Sequence, residues 1–108
     1  MADLLAGIRK LVAAGERRYS AHAVRELAAD GILVGPLVEA IDTAVVVEEY
    51  PDYHKGPCVL VLQFDEAGLP VHLLWGIEKG QFGPAVLVTA YRPDPALWER
   101  DFMRRRSR

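Results

Sequence analysis

Four β-rich runs in the second half of the chain restrict its topology more than any other feature of the sequence. They span residues 45–50, 58–64, 71–77 and 85–91 and are rich in valine, leucine and aromatic residues. The connections between them hold only about five to seven residues, whereas a crossover between parallel strands needs roughly a dozen or more. The runs therefore predict a four-stranded antiparallel meander.

Helix signals lie on both sides of these runs. Three helices are predicted before them, over about residues 4–14, 21–29 and 36–43. Ser20 is a good N-cap for the second helix, and Pro36 suits the first turn of the third. After the last run, Asp94 and Pro95 mark the start of a C-terminal helix. The expected fold class is α+β, with N-terminal helices, a four-stranded antiparallel sheet and a C-terminal helix.

The length of 108 residues fits one domain. Neither a linker nor an internal repeat divides the chain, so residues 1–108 are expected to form a single domain. The lone cysteine, Cys58, has no partner for a disulfide, and the sequence has no Cys/His cluster for a metal. No apolar run approaches the roughly 20 residues that span a bilayer, and the N-terminus has no recognisable signal peptide. These features predict a cytoplasmic protein without a metal, a cofactor or a membrane partner.

Charge is distributed unevenly along the chain. The net charge is −2, but residues 99–108 hold five arginines and two acids, which leaves the remainder at −5. A nucleic-acid-binding protein usually carries a basic face on its folded body, whereas here only the tail is basic. We interpret the tail as the solvated end of the last helix, where positive charge suits the helix C-terminus.

The strong catalytic motifs are missing from the sequence. It contains no phosphate-binding glycine loop, no dinucleotide fingerprint, no HExxH and no GxSxG. A catalytic role must therefore be built from its three histidines and a few tyrosines, arginines and acids. His22 lies two residues after Ser20 in the first helical turn, where the backbone amides favour a neutral ring that serves as a general base. Glu26, one turn further, can orient that ring. The alternative is a structural histidine packed between helix and sheet.

His72 lies in the third β-rich run and is a second candidate. The apolar side chains alternate with it and should face the helices; they are Val71, Leu73, Trp75 and Ile77. His72 is then expected on the opposite, open face. If Ile77 pairs with Val86, His72 lies opposite Tyr91, and a pairing shifted by one residue puts Ala90 there instead.

Two further residues complete the candidate set. A hairpin that pairs Phe64 with Val71 would put Gln63 beside His72, which predicts a polar row that is either a site or an ordinary cross-strand pair. Arg92 follows the last run and either grips a phosphate or carboxylate with two hydrogen bonds or pairs with a nearby acid.

Three segments of the chain together resemble a bacterial family. They are YSAHAVREL, VVVEEYPDYHKGPCVLVLQFDEAGLPVHLLWGI and VTAYRPDPALW, and they resemble the family called domain of unknown function 4258 (DUF4258) over residues 8–98. That family looks like a relative of the RelE/barnase-like toxin ribonucleases. The resemblance implies helices followed by an antiparallel sheet, and RNA cleavage by a base, an acid and positive groups around the phosphate.

Carried over by motif position, the resemblance implies four catalytic candidates: His22, His72, Tyr91 and Arg92. Arg25, Glu26 and Gln63 are the candidates for substrate binding. Family members often carry arginine four and eight residues after the helix histidine, whereas this chain has Glu26 and Asp30 there. Arg25 partly substitutes for the first of these.

Three functional hypotheses follow. The first is a metal-independent, toxin-like endoribonuclease whose partners are RNA and an antitoxin-like protein. The second is a non-catalytic protein-binding or dimerisation module, because apolar residues lie on both faces of the predicted sheet. The third is a small-molecule enzyme that uses His72 and Tyr91, although no cofactor motif accompanies them.

Overall fold

Helices precede strands along most of the chain, as predicted. The computed structural model describes residues 3–107. Its helices are α1 (Asp3–Ala13), α2 (Ala21–Ala29) and α3 (Val34–Glu39), followed by a short 3-10 helix (Ile41–Thr43). Its strands are β1 (Arg17–Tyr19), β2 (Val45–Tyr50), β3 (Cys58–Phe64), β4 (Pro70–Ile77) and β5 (Ala85–Tyr91). No helix within residues 3–107 is long and apolar enough to cross a membrane.

The sheet has five strands in the order β1-β5-β4-β3-β2. The four strands from β2 to β5 form the predicted antiparallel meander. The prediction of a purely antiparallel, four-stranded sheet is wrong, because β1 joins β5 in parallel. β1 has only three residues and lies between two helices, so its sequence has no strand periodicity. It forms because the last strand of the meander leaves a free edge whose backbone groups need partners.

One face of the sheet packs against the helices and holds the core. The predicted alternation along β4 is confirmed, because Val71, Leu73 and Trp75 are fully buried and Ile77 packs against the same core. Helix residues that complete this core are Leu5, Ile8, Val12, Ala23 and Leu27. Burial of each large apolar side chain contributes about 1.5–3 kcal/mol, which holds this face of the sheet closed.

Helix α2 runs along the outer half of β5, where β1 has ended. Ser20 caps the helix as predicted, because its Oγ accepts a hydrogen bond from the Ala23 backbone N–H at 2.9 Å. The same hydroxyl donates to the carbonyl oxygen of Val88 in β5 at 2.8 Å. At the other end of the helix, the carboxylate of Asp30 accepts from the Arg92 backbone N–H at 3.1 Å. The helix is therefore attached to the sheet edge at both ends.

The predicted C-terminal helix is absent from the described residues. Asp94 starts a single turn, in which its backbone carbonyl accepts from Trp98 N–H at 3.0 Å, and the chain then folds back on itself. An isolated bridge joins Trp98 to Arg105, and Phe102 at the reversal has a φ of 60°. The reversal leaves Trp98 only 2% exposed, and this burial favours the folded-back path over a helix. We call residues 93–107 the C-terminal segment; Arg108 lies outside the described residues.

Candidate functional site on the open face of the sheet

The face of the sheet opposite the helices, which we call the open face, carries three rows of side chains across the strands. The first row is Tyr50, Cys58, Gly76, Val86 and Arg18; the second is Glu48, Leu60, Leu74 and Thr89; the third is Leu62, His72 and Tyr91. The C-terminal segment covers the third row. Except for Glu48, the residues of the first two rows line a groove of about 750 Å³, which we call the open groove.

Two loops close one end of the open groove and bring two lysines together. The Lys79 backbone N–H donates to the Lys55 carbonyl at 3.0 Å, which joins the loop between β4 and β5 to the loop between β2 and β3. Gly56 makes this approach possible, because its φ is 131° and a Cβ there would collide with the Ile77 carbonyl oxygen. Lys55 and Lys79 are both exposed and both line the groove.

The sides of the open groove are polar and its floor is apolar. Arg18 lies on the β1 side and Tyr50 on the β2 side, with Tyr53 in the adjacent loop. Arg18, Lys55 and Lys79 form no salt bridge with any residue in the described range 3–107. The groove lining has four cations, these three and Arg105, against one acid, Glu78. The net charge of the chain is −2, so positive charge is concentrated at the groove.

A bulge in β5 places Tyr91 opposite His72. Ile77 pairs with Ala85 at one end of the β4–β5 ladder, whereas His72 pairs with Tyr91 at the other. The register shifts in between because Val88 is an extra residue in β5. Each of the two predicted registers is therefore correct over part of the ladder, and the predicted neighbourhood of His72 and Tyr91 is confirmed.

His72 is fully buried beneath the C-terminal segment. Its Nε2 lies 2.8 Å from the carbonyl oxygen of Phe102. A carbonyl oxygen only accepts hydrogen bonds, so Nε2 carries the proton in a neutral ring. Nδ1 is then an acceptor, to which the Tyr91 hydroxyl donates at 3.3 Å. The Trp98 ring packs edge-on against the imidazole, with 4.4 Å between the ring centroids.

Electrostatics keep this pair uncharged near neutral pH. Burial lowers the pKa of His72, and the Arg105 charge lowers it further, while the hydrogen bond to Phe102 and the Glu48 charge oppose them. Burial raises the pKa of Tyr91. The imidazole is therefore a neutral ring with a free lone pair toward Tyr91, and the phenol keeps its proton.

Arg105 marks the end of the open groove that lies nearest to His72. Its guanidinium is 3.2 Å from a Glu48 carboxylate oxygen and stacks over Trp98, 4.6 Å from the ring centroid. The Tyr50 hydroxyl donates to the same carboxylate. Burial raises the pKa of Glu48, but the hydrogen bonds from Tyr50 and Arg105 outweigh it and the net shift is downward. The tail was predicted to be solvated, yet this arginine is anchored to the sheet.

Among the predicted catalytic residues, His72 and Tyr91 are brought together and Tyr91 lines the open groove. His22 is exposed on α2 and is not among the residues that line the groove. Arg92 is bound elsewhere: its guanidinium lies 2.7 Å from the Asp65 carboxylate and 3.2 Å from the Pro70 carbonyl oxygen. Backbone N–H groups, chiefly that of Leu69, and Arg92 lower the pKa of Asp65.

The substrate-binding candidates lie away from the groove. Arg25 and Glu26 are on α2 and do not line it. The predicted position of Gln63 beside His72 is wrong, because Leu62 is the residue paired with His72. Gln63 faces the helices and its Nε2 donates to the Leu37 carbonyl at 2.9 Å. This register satisfies a carbonyl at the end of α3 that the helix itself leaves unpaired.

The residues that sequence reasoning missed are the cations of the groove, Arg18, Lys55, Lys79 and Arg105. A signal for two of them was present. In an antiparallel meander, the first and third connections lie at the same end of the sheet, and each of these carries a Lys-Gly pair, at Lys55 and at Lys79. Arg18 and Arg105 gave no such signal, because β1 and the C-terminal segment reach the open face through long-range contacts.

The described residues include no group of three or more His, Cys, Asp or Glu side chains that could hold a metal ion.

A comparison with known protein families identifies the family of this chain. The model of the domain of unknown function DUF4258 matches residues 19–92. The chain belongs to this family. The matched range of this DUF4258 protein contains His72, Tyr91 and both groove lysines, and it ends before the C-terminal segment. No curated protein and no solved structure matches the chain.

Proposed function

We propose that this DUF4258 protein is a toxin-like endoribonuclease that binds single-stranded RNA in the open groove. The observation that carries the proposal is an apolar groove floor flanked by tyrosines and by unpaired cations. The resemblance to RelE/barnase-like toxin ribonucleases agrees with this choice of substrate.

The groove has the chemistry that single-stranded RNA requires. Unstacked bases bind to apolar and aromatic surfaces, and sheet faces are a common platform for them. Tyr50, Tyr53 and Tyr91 provide aromatic rings around the floor. Five strands at their usual spacing make that floor roughly 19 Å wide, which accommodates more than one nucleotide.

The phosphates of such a strand would meet the cations of the groove. Lys55 and Lys79 lie at one end, Arg18 at the side and Arg105 at the other end. An acidic body repels RNA elsewhere, so the groove concentrates the attraction at one place. A single strand in the groove then passes Tyr91 and Arg105, a hydroxyl and a guanidinium of the kinds that act on a phosphodiester.

Binding is tested by comparing two double variants with equal changes in charge. Lys55→Ala with Lys79→Ala removes two cations from the groove, and Lys10→Ala with Arg100→Ala removes two exposed cations that do not line it. We expect the groove variant to bind fluorescent single-stranded RNA about ten-fold more weakly. Its slope of log Kd against log salt should fall by about 1.4, because each lost phosphate contact on a single strand accounts for about 0.7.

The control variant should keep wild-type affinity and salt slope. Equal losses in both variants, or RNA binding that neither variant changes, would contradict a groove-bound substrate. His22→Ala and Arg92→Ala belong in the same series as tests of the roles predicted for them. If either abolishes cleavage while binding is kept, a second catalytic surface is present.

The exposed apolar part of the floor favours a second candidate, a dimerisation or protein-binding module. Val88 is 39% exposed in the floor and could pack against a second copy of this chain. Sedimentation of the protein with Val88→Lys, and with Val24→Lys on α2 as the matched control, tests this. A dimer that only Val88→Lys dissociates supports the second candidate, and a monomer at all concentrations excludes the dimer.

A further inference from the structure

We propose that Tyr91 and His72 form a two-step proton relay, in which the Tyr91 oxygen takes the proton of a ribose 2′-hydroxyl and passes its own proton to His72 Nδ1. This inference rests on the proposed function, because it assigns the base of the same groove. It names the substrate as RNA with a 2′-hydroxyl next to the scissile phosphate.

The relay follows from the burial of the two residues. His72 is fully buried and its Nε2 is occupied by Phe102, so it cannot touch a molecule in the open groove. Tyr91 is half-buried and lines the groove, while its hydroxyl donates to His72 Nδ1 at 3.3 Å. The oxygen of that hydroxyl has lone pairs left to accept a proton from the groove side. Within residues 3–107, Tyr91 is therefore the hydrogen-bond partner through which His72 reaches the groove.

The chemical step balances without a co-reactant other than water. The 2′-oxygen attacks the adjacent phosphorus and forms a bond to it, and the bond from phosphorus to the 5′-oxygen breaks. The 2′-proton moves to Tyr91, the phenolic proton moves to His72, and the leaving 5′-oxygen takes a proton from water. His72 then returns its proton through Tyr91 to the hydroxide that is left, which restores both residues. The products are a 2′,3′-cyclic phosphate and a 5′-hydroxyl end.

Two charged groups act on the imidazolium that the relay forms, Glu48 and Arg105, and their effects have opposite signs. Glu48 on β2 attracts the imidazolium that forms, and the Phe102 carbonyl keeps its hydrogen bond in both states. Arg105 on the C-terminal segment opposes that charge, but Glu48 holds and partly neutralises it at 3.2 Å. Tyr50 donates to the same carboxylate and stays neutral, because burial, chiefly, and Glu48 raise its pKa.

Two substitutions isolate the relay. Tyr91→Phe removes the bridging hydroxyl, and His72→Gln keeps one acceptor and one donor but cannot hold the proton. Each should lower the cleavage rate at saturating RNA about 100-fold, the lower end of what a positioned base contributes. The Kd for RNA should stay within about two-fold of wild type. The rising acidic limb of the pH–rate profile should vanish in His72→Gln, which a purely structural role would not produce.

The outcomes separate the relay from the proposed function. If the wild type cleaves RNA in the groove and Tyr91→Phe cleaves at the same rate, the relay is wrong and the proposed function stands. If the wild type neither binds nor cleaves RNA, both fall. A substrate with 2′-deoxyribose at the scissile nucleotide should bind and resist cleavage. Its cleavage would overturn the relay even if His72→Gln fails to fold.

Discussion

The two ends of the open face are built from the same strands but differ in what lies over them. At the lysine end, the first two rows of side chains are left open, and cations without ion-pair partners within residues 3–107 surround an apolar floor. At the other end, Trp98 and Phe102 cover His72, and Arg105 is bound to Glu48. The comparison separates two kinds of surface: the open end exposes positive charge, and the covered end shields one imidazole from water.

The largest loss of stability should come from removing Trp98, the main cover of the covered end. Trp98→Ala deletes a side chain that is only 2% exposed, and loss of a buried aromatic side chain costs about 3–5 kcal/mol. The free energy of unfolding from denaturant titration measures this. Leu97→Ala is the control, because its side chain is 54% exposed and should cost less than about 1 kcal/mol. Similar losses in both variants would mean that the segment does not shield the sheet.

A glycine substitution at the open end should lower the free energy of unfolding by less than Trp98→Ala does. Gly56→Ala forces an alanine to a φ of 131° and against the Ile77 carbonyl, which should cost at least about 2 kcal/mol. Gly80→Ala, with a φ of 80° and free space around it, should cost about 1 kcal/mol. RNA affinity should fall only in the first variant, because the two lysines then separate. Unchanged affinity of Gly56→Ala would contradict their joint role.

Arg105, at the covered end, should matter less for stability than Trp98 or Gly56. Arg105→Ala removes one partly exposed ion pair and one stacking contact, together worth about 1 kcal/mol. Arg104→Ala is the matched control. Hydrogen exchange of the C-terminal segment should increase in the first variant alone. Equal exchange in both would show that the salt bridge does not hold the segment in place.

The pH dependence of stability should be invisible at pH 7 and appear only in weak acid. Burial holds the folded-state pKa of His72 below the ordinary value of a histidine, 6.5, so the unfolded chain binds a proton first as the pH falls. Stability contributed by the neutral ring is thus present above about pH 6.5 and is lost as the pH falls through the folded value. In His72→Gln, the free energy of unfolding from denaturant titration should depend less on pH in this window. The pKa of Glu48 is lowered in the folded state, so its contribution to stability is lost only below pH 4.5.

Sequence reasoning succeeded where the signals were local. The connection lengths predicted the meander, and Ser20 predicted the start of α2, because strand reversal and helix capping depend on a few neighbouring residues. It failed where distant contacts decide the structure. Asp94 and Pro95 do start a turn, but burial of Trp98 against His72 outweighs the local preference for a helix.

The candidate site shows the same difference between local signals and distant contacts. The pair of His72 and Tyr91 was predicted by one of two registers that the sequence left open. The bulge at Val88 that aligns the two residues depends on one extra residue with no distinctive signal. Gln63 was misplaced by a single position in a hairpin, enough to move its side chain to the other face. His22 and Arg92 were grouped with the site by resemblance, which carries no information about distance.

The hydroxyl of Ser20 has a consequence for how this protein can vary. It accepts from the first turn of α2 and donates to the carbonyl of Val88, the residue that shifts the β5 register. One oxygen atom therefore serves both a helix cap and the strand irregularity that sets the spacing between two side chains on the far side of the sheet. Threonine is the natural replacement that keeps a hydroxyl at this branch point, whereas alanine would loosen both attachments simultaneously.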